Sequence, residues 1–171
     1  MVSEVGQDYA NQLKHRRAQP GDKWHLDEVF LTINGQRHYL WRAVDQDDNV
    51  LDILVQSRRN KQAAKKFFRK LLKGLQYVPR VIITDKLKSY NEAHGTAIAI
   101  RQVKYLNNIV EQDHRAIKRV TRPMLGCKAF ATAQATLTGI ELRHMIKKKQ
   151  MRVEVADEGR SAAELFYALA A

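Results

Sequence analysis

The sequence lacks the features that identify several common classes of protein. A single cysteine, Cys127, excludes an internal disulfide and a paired-cysteine zinc motif, as is usual in a reducing compartment. The six histidines show no H-x-x-x-H spacing, which argues against a zinc site. Neither a glycine-rich phosphate loop nor a G-x-S-x-G motif is present, so P-loop and α/β-hydrolase chemistry are not indicated.

Long hydrophobic runs are also absent. No apolar stretch approaches the length that crosses a membrane, and the first residues include Glu4 and Asp8 rather than the apolar segment of a signal peptide. We therefore expect a cytoplasmic protein with no membrane partner. With 171 residues, 44% of them hydrophobic, the chain can bury one sizeable core.

Acidic residues are scarce in the middle of the chain. The whole sequence carries 30 Lys and Arg against 18 Asp and Glu, a net charge of +12. Between Arg58 and Arg122 there are 17 basic and 4 acidic residues, so this window accounts for the entire excess. A concentration of this kind favours a polyanionic partner such as a nucleic acid, although it also suits plain solubility.

The first half of the chain predicts three antiparallel strands and a helix. Trp24–Leu31 is apolar in both alternating sets, which suits a strand covered on both faces. Asn34-Gly35 fits a type I′ turn, so Arg37–Val44 should return antiparallel, and Val50–Gln56 should follow as a third strand. Asn60 then caps an amphipathic helix with a basic outer face, ending near Gly74 and Pro79.

The second half predicts a parallel continuation of the sheet. The short apolar run Val81–Thr84 follows the helix, so the connection is a crossover and this fourth strand should lie beside the first. The remaining predicted elements are a short helix at Ser89–His94, a fifth strand at Ala97–Val103, a helix at Asn108–Arg122 and a helix at Ala131–Lys149. The fold class is therefore α/β.

Three carboxylates from distant parts of the chain are the candidate site. Asp85 ends the fourth strand where open α/β sheets bind ligands, Glu111 opens a helix, and Asp27 lies inside the first strand. Carboxylate oxygens suit hard cations such as Mg²⁺. Each also has a structural explanation: Asp27 could pair with His25, Asp85 could be a turn residue, and Glu111 could complete a capping box.

Two further ambiguities concern the neighbours of these carboxylates. Glu28 is a rival to Asp27, although alternation along a strand would direct it to the opposite face. Glu111, Arg115, Lys118 and Arg122 form one stripe at helical spacing. Such a stripe could hold a metal at one end and track phosphates with the rest, or it could be a solvated charged face.

Five ordered blocks carry a resemblance to a known family. They are Trp24-His25-Leu26-Asp27-Glu28, Tyr39-Leu40-Trp41-Arg42-Ala43-Val44-Asp45, Ser57-Arg58-Arg59-Asn60, Ile83-Thr84-Asp85-Lys86 and Asn107-Asn108-Ile109-Val110-Glu111. Over roughly Trp24 to Lys149 the sequence resembles the catalytic core of bacterial DDE transposases of the insertion-sequence-six family. The resemblance implies a ribonuclease H-like fold related to retroviral integrases. We expect a five-stranded mixed sheet in the order 3-2-1-4-5 with helices on both faces.

The same resemblance implies a mechanism and partners. Asp27, Asp85 and Glu111 would be the catalytic residues and the ligands of two Mg²⁺ ions, with Mn²⁺ as a substitute, in DNA cleavage and strand transfer. The DNA-binding candidates are Lys86, Arg115, Lys118, Arg119 and Arg122. The partners would be transposon ends, target DNA and a second copy of the chain in a synaptic dimer. The protein would work at the bacterial nucleoid.

Two departures from the family leave alternatives open. Only 25 residues separate Asp85 from Glu111, which is shorter than is usual in the family, and relatives carry an upstream helix-turn-helix domain that this sequence does not include. A DNA-binding remnant without catalysis and a ribonuclease H-like nuclease therefore remain alternatives to an active transposase. We expect a lead-in segment at 1–23, the catalytic domain at 24–150 and a tail with a short helix at 151–171.

Overall fold

The sheet has five strands in the predicted order. The computed structural model describes residues 19–84, 98–102, 128–150 and 158–161, together with Arg115, residues 117–119, Thr121 and Glu164. The strands are β1 (Lys23–Ile33), β2 (Gln36–Asp45), β3 (Val50–Gln56), β4 (Val81–Thr84) and β5 (Ala99–Gln102), arranged β3-β2-β1-β4-β5. β1 is antiparallel to β2 and parallel to β4, which confirms the mixed sheet.

A two-residue turn sets the register between β1 and β2. Asn34 and Gly35 both have positive φ, 48° and 72°, as a type I′ turn requires. The turn makes Ile33 and Gln36 direct partners, and the pairing then runs without a shift to Trp24 and Asp45.

The next strand pair contains an irregularity that the sequence did not predict. The register of β2 with β3 shifts between Ala43 and Val44, so Leu51 is an extra residue on β3. Leu51 is buried in the same apolar cluster as Ala43.

Helix α1 (Lys61–Leu75) covers one face of the sheet. Asn60 accepts a hydrogen bond from the amide of Ala63, as the predicted N-cap should. The apolar side of α1 packs on inward-facing residues of four strands. This buried cluster comprises Trp24, Leu26, Trp41, Ala43, Leu51 and Ile82 from the strands, and Ala63, Ala64, Phe67, Phe68 and Leu71 from the helix.

The end of α1 differs from the prediction. Gly74 lies inside the last turn, and the left-handed residue after the helix is Gln76, with φ of 49°. The amide of Gln76 donates to the carbonyl of Leu72, so an αL cap forms without glycine.

The second face of the sheet is buried as well. Val29, Leu31, Ile33, Leu40 and Val44 are each at most 8% exposed, which confirms that both faces are covered. A helix on this second face stays a prediction.

The chain divides into two compact units, Pro20–Phe130 and Ala131–Ala171 with Met1–Gln19. The second unit contains helix α2 (Phe130–Lys147), whose buried residues include Leu137, Leu142 and Met145. Across the described ranges, no helix has the length and hydropathy needed to span a bilayer.

Asp45 organises the turn between β2 and β3. The residue is 1% exposed, and its carboxylate accepts hydrogen bonds from the amides of Gly21, Asp47 and Asn49 and from Asn49 Nδ2, at 2.9 to 3.2 Å. One side chain therefore closes the turn and ties it to the segment that leads into β1.

Asp22 links the starts of β1 and β4. Its carbonyl accepts from the amides of Arg80 and Val81, and its carboxylate contacts the Tyr77 hydroxyl and Arg80 Nε, the latter at 2.6 Å. The Tyr77 hydrogen bond, followed by the Arg80 guanidinium, lowers the pKa of Asp22 below its usual value. The same contact raises the pKa of the Tyr77 phenol.

We expect Asp45→Ala to lower the free energy of unfolding by about 2–4 kcal/mol, because four partly buried donors lose their acceptor. Asp47→Ala is the matched control: Asp47 is exposed in the same turn, so its loss should change stability by no more than about 0.5 kcal/mol. Urea unfolding measures both. Equal effects of the two substitutions would contradict the role given to Asp45.

We expect Tyr77→Phe to raise the pKa of Asp22 towards its ordinary value of 3.8. Because the folded pKa is below the unfolded one, this carboxylate contributes stability above the unfolded pKa and loses it as pH falls through the folded pKa. The variant should therefore depend less on pH in the acid range. An NMR titration of the Asp22 carboxyl carbon tests this, and an unchanged pKa would refute it.

Candidate active site

Asp27 lies near the middle of the central strand. β1 pairs with β4 from Lys23 to Leu26, and Leu26 is the partner of Thr84. Asp27 is thus the first residue of β1 beyond the paired stretch, just where β4 ends. Its side chain is half-buried, and its Oδ1 accepts a hydrogen bond of 2.8 Å from the amide of Glu28.

Glu28 faces the other side of the sheet, as alternation predicts. It belongs to the same alternating set as Trp24 and Leu26, which pack against α1. Its carboxylate forms an ion pair with Arg59, just before α1, and only 7% of its side chain is exposed. This pairing gives Glu28 a structural role and leaves Asp27 as the carboxylate of the opposite face.

A buried arginine lies beside Asp27 and was missed by the sequence analysis. Arg42 on β2 is the direct cross-strand partner of Asp27, so both side chains belong to the same face. Arg42 is fully buried. The signal was available, since an arginine interrupts the apolar run of β2 and the Asn34-Gly35 turn fixes its partner.

The other two predicted catalytic residues, Asp85 and Glu111, lie outside the described residues, as do Lys86 and Arg122. Within the described ranges there is no group of three or more His, Cys, Asp or Glu side chains that could hold a metal. Asp27 is therefore the one member of the predicted triad whose surroundings the structure describes.

The three remaining DNA-binding candidates are in helical residues of the same unit. Arg115 and Arg119 are exposed and four residues apart, so they share one side of a helix. Ile117, which lies between them in sequence, is fully buried. Lys118 is half-buried, and its amino group lies 5.8 Å from the ring centroid of Phe30, an exposed aromatic that Arg37 also contacts.

The sequence matches a family model across most of its length. The model, described as a DDE domain of the IS240 type, covers residues 21–150. This chain belongs to the DDE transposase family. Among its relatives are the Staphylococcus aureus transposases for the insertion sequence-like element IS431mec and for element IS257 in transposon Tn4003. Each is 36% identical over 148 residues, which cover 81% of this chain and 63% of the relative.

The DDE transposase chain described here thus spans less than two thirds of the length of these relatives. Solved structures identify its fold. The HTLV-2 integrase catalytic core, solved in complex with magnesium, superposes with a TM-score of 0.57 at 16% identity, covering 80% of this chain and 99% of that one. The BIV integrase catalytic core gives 0.52 at 17% identity, covering 86% and 95%. The fold is ribonuclease H-like, as the sequence predicted.

We expect the Glu28–Arg59 ion pair to contribute about 1 kcal/mol to stability, because one partner is nearly buried and the other half-exposed. A double-mutant cycle of Glu28→Gln and Arg59→Gln, followed by urea unfolding, measures this coupling. Additive effects of the two substitutions would show that the two side chains do not interact.

Proposed function

We propose that this chain is the catalytic part of a transposase that cleaves DNA and transfers strands with the help of divalent metal ions. Asp27, Asp85 and Glu111 are the proposed catalytic and metal-binding residues. The relatives are named as transposases, and this chain spans only part of their length, so their activity is proposed for this chain.

The observation that carries the proposal is the register of β1 against β4. Leu26 pairs with Thr84, and each is followed in sequence by an aspartate, Asp27 and Asp85. Neighbouring strands of a sheet are about 4.8 Å apart, a separation at which carboxylates of one face can share a cation. Asp27 and Ile83 belong to the face away from α1, and alternation assigns residue 85 to that same face.

The donor chemistry of this site fits Mg²⁺. The proposed ligands are carboxylates alone, and oxygen ligands are those that Mg²⁺ and Mn²⁺ prefer. When bound, such ions lower the pKa of water or a 3′-hydroxyl and stabilise the leaving oxygen in phosphoryl transfer. The HTLV-2 integrase core, which shares this fold, is known in complex with magnesium.

The protein contributes rigidity and charge around the site. Asp27 is fixed by its pairing with Arg42 on β2 and directly follows the residues of β1 that pair with β4. The amide of Glu28 orients one of its carboxylate oxygens. Preorganised ligands lose little freedom when they bind, which favours a defined metal geometry. The exposed guanidinium groups of Arg115 and Arg119 would contact DNA phosphates, with Lys86, Lys118 and Arg122 as further candidates.

The proposed partners are transposon-end and target DNA and a second copy of the chain. Transposition joins two DNA ends, so a paired assembly is a natural requirement. The HTLV-2 integrase core has been solved in a dimeric form. Work on DNA also implies a location at the bacterial nucleoid.

A DNA-binding chain without catalysis is the alternative. The 25 residues between Asp85 and Glu111 favour it, because a shortened connection changes how the glutamate approaches the two aspartates. A nuclease that cleaves but does not join strands is a third reading of the same carboxylates.

We expect Mn²⁺ to raise the melting temperature of the chain, because a ligand of the folded state stabilises it by about 2.7 kcal/mol at a hundredfold excess over Kd. Asp27→Asn and Asp85→Asn should each abolish this rise and the nicking of supercoiled DNA. Melting curves against Mn²⁺ and a plasmid nicking assay measure the two effects.

Glu28→Gln is the matched control, since it removes a neighbouring carboxylate from the opposite face. It should keep both the Mn²⁺ response and the nicking. If Asp85→Asn responds to Mn²⁺ as the wild type does, the shared metal site is wrong. Metal binding without nicking in the wild type would favour the non-catalytic alternative.

A further inference from the structure

A basic groove runs along the outer side of α1. It is a cavity of about 620 Å³ between the end of β3 and the exposed flank of the helix, with four cationic residues, Arg58, Lys65, Lys66 and Arg69, among its lining. The rest of the lining is polar or small and includes Gln56, Ser57 and Asn60 but no carboxylate.

None of the described residues forms an ion pair with the four cations of this groove. Neighbouring basic residues are neutralised: Arg59 pairs with Glu28, and Lys70 binds Asp52 Oδ2 at 2.6 Å and the carbonyl of Ile53 at 2.7 Å. By contrast, no carboxylate in the part of the chain that the structure describes forms an ion pair with a groove cation. The groove is therefore a concentration of positive charge open to an external anion.

The arrangement is unfavourable for the isolated chain. α1 contains six basic residues and no acidic one, and Lys65 and Arg69 are four residues apart, a spacing at which like charges destabilise a helix by about 0.2–0.5 kcal/mol. An ordinary solvated helix face mixes both signs of charge. A uniformly basic helix face beside a cavity indicates a binding site for a polyanion, whose negative charge would offset the repulsion between the basic side chains.

The length of the groove suits a nucleic-acid backbone better than a single small anion. Gln62 and Arg69, which both line it, are seven residues apart on α1, or about 10 Å at 1.5 Å per residue. Each DNA strand carries one phosphate for about every 3.4 Å of duplex axis, so a backbone that lies along a groove of this length presents more than one phosphate to it.

We propose that the α1 groove binds the phosphate backbone of a stretch of DNA other than the one at Asp27. The two sites lie on opposite faces of the sheet: α1 covers the face of Trp24 and Leu26, whereas Asp27 belongs to the other alternating set. The inference rests on the proposed function in that the chain must act on DNA. It adds a second, sequence-independent contact surface, which holds DNA without contacting the reacting strand.

The test is the salt dependence of DNA binding by the full chain. Affinity for a short duplex of arbitrary sequence is measured by fluorescence anisotropy over a series of KCl concentrations, with EDTA present so that no divalent metal contributes. Each lost phosphate contact lowers the log–log slope by about 0.9, so the double substitution Lys66→Gln/Arg69→Gln should lower it by roughly 1.8.

Lys73→Gln is the matched control, because Lys73 is an exposed cation of the same helix outside the groove. It should leave the slope unchanged. The groove variant should keep the wild-type melting temperature, since Lys66 and Arg69 are exposed and form no ion pair with any residue that the structure describes.

Each other outcome overturns the proposal. An unchanged slope in the groove variant, or an equal loss in Lys73→Gln, would show that the groove is not the contact surface. If inorganic phosphate raises the melting temperature of the wild type but not of the groove variant, while the two bind the duplex equally well, the groove is a small-anion site. If the groove proposal is wrong, Asp27-dependent nicking can still be observed. If the wild-type chain binds no duplex at all, the proposed function is refuted as well.

Discussion

The pairing of β1 on both of its edges is the constraint on which the rest of the structure depends. The antiparallel register with β2 brings Arg42 beside Asp27, and the parallel register with β4 ends at Thr84, immediately before Asp85 in sequence. Strand alternation then separates the two faces: Glu28 and the tryptophans belong to the α1 side, whereas Asp27 and Arg42 belong to the other. Asp22 and Asp45, which are distant from Asp27, stabilise the ends of these paired strands. The carbonyl of Asp22 accepts hydrogen bonds that join the start of β4 to the start of β1, and the carboxylate of Asp45 accepts hydrogen bonds that close the turn after β2.

Much of the fold could be predicted because its determinants are local. Asn34-Gly35 specifies a two-residue turn, and the register of ten residue pairs follows from that turn by counting. Asn60 and the spacing of Phe67, Phe68 and Leu71 are equally direct signals for α1. Alternation along the strand also separated Glu28 from Asp27, and the ion pair of Glu28 with Arg59 then distinguished the two carboxylates.

What the sequence did not predict depends on contacts between distant residues. The bulge at Leu51 shifts the register of β3 against β2 between Ala43 and Val44, and no local pattern of residues in β3 indicates it. The left-handed residue after the helix is Gln76 and not Gly74, although glycine is the residue that intrinsic preference favours there. The link from Asp22 to Tyr77 spans 55 residues. Arg42 was read as part of a family block, although counting from the turn would have assigned it to the side of Asp27.

Both tryptophans lie on the α1 side of the sheet. Trp41 packs against Phe67 with ring centroids 6.2 Å apart, and Trp24 lies 6.3 Å from Tyr77. Each is fully buried, and neither belongs to the face that carries Asp27. The intrinsic fluorescence of the protein is therefore a one-sided reporter. Its emission follows the seating of α1 on the sheet during unfolding, whereas a probe in direct contact with the carboxylates has to be attached to the opposite face.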